Sequence, residues 1–215
     1  PFAANNYLIL DSGSDLGYGN GPLLVAKPGF DTLKMNSSVI AIPGKYTTAN
    51  LLFSIAWPGA VNKKEYLFSD IVDVILSGKA DAGLIIHETR FTYHLKGLTM
   101  IADMGEFWEK LTGLPIPLGA IVISRRIPEN VSLKFNSLLR KSIEYAMENS
   151  SASSGFVASN AREMEKTVID RHIKMFVNEF SLDLGTDGKK AFSRLFGLAH
   201  EKGIAPSVPE RIFLT

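Results

Sequence analysis

Short apolar runs alternate along this chain with stretches whose apolar residues recur at helical spacing, and the alternation stops near residue 127. The runs at 7–10, 22–26, 39–42, 82–86, 98–102 and 118–123 are each bounded by Gly, Pro or charge and read as buried strands. Between and after them, residues 48–57, 65–76, 130–148, 163–177 and 188–202 read as helices. Gly78 and Gly203 stand just past two of these helices, where a left-handed residue closes the last turn. Strand–helix alternation predicts an α/β chain with a parallel or mixed sheet covered by helices. A single doubly wound sheet does not end in a long all-helical tail, so the pattern favours two lobes. Residues 1–26 with 125–215 are expected to form one lobe and residues 27–124 the other, with crossings near 24–27 and 120–124. Residues 12–21 read as a glycine-rich turn and 150–154 as a serine-rich loop.

Composition narrows the function classes. The 215 residues suffice for a proper core, and 46% hydrophobic with 21% charged residues is ordinary for a globular protein. The net charge of +1, with no basic cluster beyond Arg125–Arg126, argues against a nucleic-acid partner. Cysteine is absent, so disulfides, thiolate metal sites and a cysteine nucleophile are excluded. That fits a reducing compartment, and a cytoplasmic protein is expected. No apolar run is long enough to span a membrane. The chain opens at Pro1 and runs almost at once into an apolar stretch, which reads as the remainder of a longer protein.

Four segments are placed to carry chemistry. In Ala41-Ile42-Pro43-Gly44-Lys45-Tyr46-Thr47-Thr48-Ala49-Asn50, a buried strand meets a turn and then a helix capped near Thr47 or Thr48. This directs helix-end amides at the carboxyl edge of a sheet, a setting suited to carboxylate or phosphate and equally to a plain capped helix. Gly44-Lys45 is no phosphate-binding P-loop, because the first glycine of that pattern is missing. In Asp81 to Tyr93, His87 is the first polar side chain after the strand, at the same edge as Thr48. Its position fits a general base and equally a structural histidine. Glu88 is expected either to orient His87 or to pair with Arg90 on the surface. His94, His172 and His200 make no metal-ligand spacing with it, so no metal site is expected. Phe107 and Trp108 read as an aromatic wall or as core, and Pro115 and Pro117 as a stiff approach to a strand. Asp183 and Gly185 fit turn and cap roles. The glycines at 13, 17, 19 and 21 do not form a dinucleotide fingerprint.

These segments together resemble one family. Gly83-Leu84-Ile85-Ile86-His87-Glu88-Thr89-Arg90-Phe91-Thr92-Tyr93 is similar to the signature of the 1,4-dihydroxy-6-naphthoate synthases of the futalosine route to menaquinone. Residues 12–25, 41–49, 105–119 and 177–185 resemble its other signatures in the same order. The resemblance implies a type II periplasmic-binding-protein-like fold with a ligand cleft between two lobes. It implies a carbon–carbon lyase acting on cyclic dehypoxanthine futalosine, a small-molecule aromatic carboxylate, with no metal or organic cofactor. It also implies His87 as the catalytic residue and Thr48 and Ala49 as substrate-binding residues, with lobe closure excluding water. By analogy the family carries roughly sixty further N-terminal residues that supply another wall of the pocket. A non-catalytic solute-binding protein of the same fold and a chorismate dehydratase of the same pathway are the alternatives; the His-Glu-Thr-Arg-Phe-Thr-Tyr run argues against the second.

Overall fold

The computed structural model describes residues 1–160 and 165–215. In chain order the strands are β1 (Tyr7–Ile9), β2 (Asp15–Gly17), β3 (Leu23–Ala26), β4 (Ile40–Ile42), β5 (Lys63–Glu65), β6 (Ala82–Ile85), β7 (Thr99–Asp103), β8 (Ile116–Gly119) and β9 (Val122–Ser124). The helices are α1 (Thr48–Ala56), α2 (Ile71–Leu76), α3 (Thr89–Thr92), α4 (Met104–Thr112), α5 (Glu129–Glu148), α6 (Ser154–Asn160), α7 (Lys166–Phe176), α8 (Glu179–Leu182) and α9 (Gly185–Glu201). No helix among the described residues is long and apolar enough to cross a membrane.

The chain divides into two compact units, Pro1–Gly17 with Leu114–Thr215, and Tyr18–Gly113. The expected division at residues 26/27 puts β3 with the first unit. Its hydrogen bonds to β6 and β7 place it instead inside the second.

The second unit is built on a mixed five-stranded sheet of order β5-β4-β6-β3-β7. β4 runs parallel to both β5 and β6, whereas β3 is antiparallel to β6 and β7. Both faces are covered, which is why β3 and β6 read as continuous apolar runs rather than alternating ones. Ile71, Val72, Val74 and Ile75 of α2 pack against Leu23, Val25, Ala41 and Ile85. By pleat alternation Leu24 and Leu84 face the other way and are equally buried.

One expected element comes out differently in this unit. Of the helix expected over 65–76, only α2 forms. Glu65 closes β5, Tyr66 N–H donates to Ile42 O, and a 3₁₀ turn at Phe68–Asp70 follows, so ladder hydrogen bonds hold the first residues extended. Leu67, in this extended stretch before α2, is exposed.

In the first unit β1 pairs with β9 and β2 with β8, both antiparallel. Leu8, Leu10, Ile123 and Leu214 form one core, and α9 buries Ala191, Phe192, Leu195, Leu198 and Ala199. The glycine-rich segment 12–21 is therefore not all turn, because Leu16 is fully buried within β2. The single strand expected over 118–123 is two strands, broken at Ala120–Ile121. The helix expected over 163–177 begins at residues outside the described ones; α7 covers its remainder. The helix expected over 130–148 forms as α5, which starts one residue earlier at Glu129, and Leu138 on it is 55% exposed.

A β-bulge falls between Asp15 and Leu16, and Asp15 Oδ1 is buried there without a hydrogen-bond partner among the described residues. Burial pushes its carboxyl up to about 6. A folded pKa above the unfolded one favours the protonated form, so this group's contribution is fully present below pH 3.8 and lost as pH rises through about 6. Asp15→Asn, which cannot ionise, should therefore leave stability near pH 3.5 unchanged and raise it at pH 8. The full shift corresponds to about 3 kcal/mol, which the partial exposure of Asp15 reduces to about 1–2 kcal/mol. Urea midpoints at the two pH values check this; an equal gain at both would contradict it.

Candidate active site

β4 and β6 are parallel neighbours, with Ile40 opposite Ala82 and Ala41 opposite Gly83. Their carboxyl ends therefore open on one sheet edge, the usual ligand side of an α/β sheet. The loop to α1 leaves from one strand and the His87 loop from the other.

The first loop is held by its own polar groups and by Glu65 of β5. Thr47 caps α1: its Oγ1 accepts from Asn50 N–H at 3.3 Å and donates to Gly44 O at 2.8 Å. Asn50 Nδ2 donates to Lys45 O at 2.7 Å, and Lys45 N–H donates to Glu65 Oε2 at 3.0 Å. Thr48 and Ala49 are thus the first two residues of a nine-residue helix whose entry is fixed. Their amides precede the first intrahelical bonds and carry the positive end of the helix dipole.

The second loop carries a backbone outlier. His87 has φ 58°, the sole positive φ of a non-glycine residue among the described residues. Left-handed geometry is uncommon for a side-chain-bearing residue and marks a conformation its surroundings impose. The chain turns at once into α3, with Arg90 N–H donating to His87 O at 3.2 Å. His87 is exposed, and its ring meets Phe68 edge-on with centroids 5.2 Å apart. Phe68 arrives from the turn after β5, the next parallel strand.

Sequence reasoning missed the strongest electrostatic feature here. Arg90 does not pair with Glu88 on the surface. Its Nη2 bonds Asp103 Oδ2 at 2.8 Å and Gly19 O at 2.7 Å, and its Nη1 bonds Gly21 O. The two charged side chains are 14% and 7% exposed. Asp103 also caps α4, its Oδ1 accepting from Gly105 N–H at 2.7 Å and Glu106 N–H at 3.3 Å. The paired Gly19 and Gly21 were the available signal, since two glycines leave carbonyls open to a common donor.

Other candidates take structural places. Trp108 is fully buried in α4 and belongs to the core, so it is no exposed aromatic wall; Phe107 is half-buried. Pro117 lies within β8, opposite Leu16. Asn178 caps α8 and donates to Leu16 O at 2.7 Å, while Asp183 Oδ1 accepts from Gly185 N–H at 2.9 Å. No group of three or more His, Asp or Glu side chains among the described residues is arranged to hold a metal ion.

Comparison with known proteins gives a family. Residues 1–201 match a family model described as menaquinone biosynthesis. A 1,4-dihydroxy-6-naphthoate synthase of Thermus thermophilus is 38% identical over 210 residues, 98% of this chain and 76% of that protein. The crystal structure of a protein from Archaeoglobus fulgidus superposes with a TM-score of 0.86 at 32% identity, covering 93% of this chain and 74% of the other. An alkanesulfonate-binding protein from Xanthomonas axonopodis, bound to MOPS, gives a TM-score of 0.63 at 13% identity, over 99% of this chain and 74% of that one. At that identity the likeness speaks for the fold alone, which is the two-lobed α/β fold of periplasmic binding proteins. The chain thus belongs to the menaquinone-biosynthesis family that includes the 1,4-dihydroxy-6-naphthoate synthases.

Proposed function

We propose that this protein is a lyase of menaquinone biosynthesis that converts cyclic dehypoxanthine futalosine to 1,4-dihydroxy-6-naphthoate, with His87 as its base. The observation that carries this reading is the 38% identity, across 98% of the chain, to a relative named for that product. The chemistry of one sheet edge supports it. The α1 amides of Thr48 and Ala49 hold the substrate's carboxylate, an interaction worth about 0.3–1 kcal/mol at an exposed helix end and up to about 2 kcal/mol when partly buried. His87, on the neighbouring parallel strand's loop, takes the proton whose loss starts fragmentation of the sugar-derived ring. Imidazole suits that step because it titrates near neutral pH.

Incubating the protein with cyclic dehypoxanthine futalosine, followed by mass detection, tests the reading. Naphthoate should appear. Tight binding with complete recovery of intact substrate would overturn it in favour of a binding protein.

Anchoring at the helix end makes a separate prediction. Proline at the first helical position is well tolerated, and Thr47 before it is already extended at φ −80°, ψ 152°. Thr48→Pro should therefore keep the fold while removing one anchoring amide and the hydroxyl. KM should rise about tenfold, the equivalent of one charge-assisted hydrogen bond of ~1.5 kcal/mol. An unchanged KM would place the carboxylate elsewhere.

A further inference from the structure

We infer that Arg90 is a positioning residue that sets the geometry of His87 by tying the α3 turn to the 19–21 loop and to the end of β7. This rests on the reading of His87 as the base. Three observations carry it. The first is that α3 has only four residues, too few to hold itself together by helical hydrogen bonding. Whatever fixes the backbone of His87 just before it must come from elsewhere.

The second is the register of the sheet. Leu23 of β3 lies opposite both Ile85 of β6 and Asp103 of β7. The end of the His87 strand, the entry of β3 and the end of β7 therefore meet at one edge. Arg90 is the side chain that joins all three, with Gly19 O, Gly21 O and Asp103 Oδ2 as its acceptors. The loop it grips is held from the far side as well, since Gly19 N–H donates to Glu109 Oε1 at 2.7 Å.

The third is chemical. A guanidinium presents a planar fork of donors that can serve several fixed acceptors at once, which an ammonium cannot do in the same directions. Arg90 N–H in turn bonds His87 O. The anchor thus lies one hydrogen-bonded turn from the left-handed residue, and the imposed φ of 58° has a physical source.

Arg90→Lys, made in the full chain, tests this. The chain holds four histidines, of which His172 and His200 lie in the other unit. With ¹³C-labelled histidine, the imidazole signal of His87, assigned by its loss in His87→Ala, should move. The signals of His172 and His200 should not. With cyclic dehypoxanthine futalosine as substrate, kcat should fall about 10- to 100-fold while KM stays within about twofold, as expected of a misplaced base. Asp103→Asn leaves both carbonyl acceptors in place and should move His87 in the same sense but less; it carries the test if Arg90→Lys does not fold. An unmoved His87 signal in a folded variant, with kcat within about twofold of wild type, would overturn the inference. Activity surviving in His87→Ala would instead sink the base assignment, while the His87 signal would still decide the role of Arg90.

Discussion

His87→Ala should lower kcat by about 10²–10⁴-fold, the range that loss of a positioned general base produces. Substrate affinity measured by calorimetry should stay within about threefold, because the anchoring amides on α1 are untouched by a change confined to the transition state. The same position makes an unusual stability prediction. At most sites glycine is less stable than alanine by roughly 0.5–1 kcal/mol. At φ 58° the order reverses, because a Cβ is strained there and glycine is not. His87→Gly should therefore be more stable than His87→Ala by about 1 kcal/mol. Both variants lose the edge contact with Phe68, so that loss cancels in the comparison. Equal urea midpoints for the two would show that the left-handed conformation is not imposed.

Gly21→Ala should be the most damaging small substitution at this edge. An ideal Cβ at Gly21 would lie 2.1 Å from Gly105 N and 2.5 Å from Gly105 Cα. No rotamer change relieves a clash with backbone. Gly105 is itself pinned, since its N–H is held by the Asp103 cap at 2.7 Å. The strand entry and the start of α4 must separate, at a cost of about 3 kcal/mol or more, the upper end of overpacking effects. For a chain of this size that lowers the thermal midpoint by about 6–12 °C. Gly21 O is also an acceptor for Arg90, so activity should fall with stability. Gly19 is the contrast within the same loop. Its φ is 66° with nothing near the Cβ position, so Gly19→Ala should cost only about 1 kcal/mol of backbone strain. Scanning calorimetry of the two variants checks the ranking; a Gly21→Ala midpoint equal to that of Gly19→Ala would contradict the close backbone approach.

What the sequence revealed followed how local the chemistry is. The turn at Pro43–Gly44 and the Thr47 cap involve neighbours only, and α1 begins at Thr48 as read. His87 was legible as the first polar side chain past a buried strand; its left-handed backbone was not, since no glycine or asparagine marks it. β2 was hidden because Asp15-Leu16-Gly17 has one apolar residue and pairs with β8, about a hundred residues away. The expected helix over 65–76 failed at its start because Tyr66 bonds the neighbouring strand instead of its own turn. Arg90 was the largest miss. Its partners lie 13 to 71 residues distant, while the acidic neighbour Glu88 offered a nearer and wrong one. The division of the chain depended on β3, whose apolar run says strand but not which partners it pairs with.

The most direct test is a multiple-turnover assay with wild type and His87→Ala side by side, at equal folded concentration and with cyclic dehypoxanthine futalosine in excess. Wild type should release 1,4-dihydroxy-6-naphthoate in molar excess over enzyme, and His87→Ala should release almost none while still binding the substrate. Equal product from both proteins, or intact substrate from both, would contradict the account.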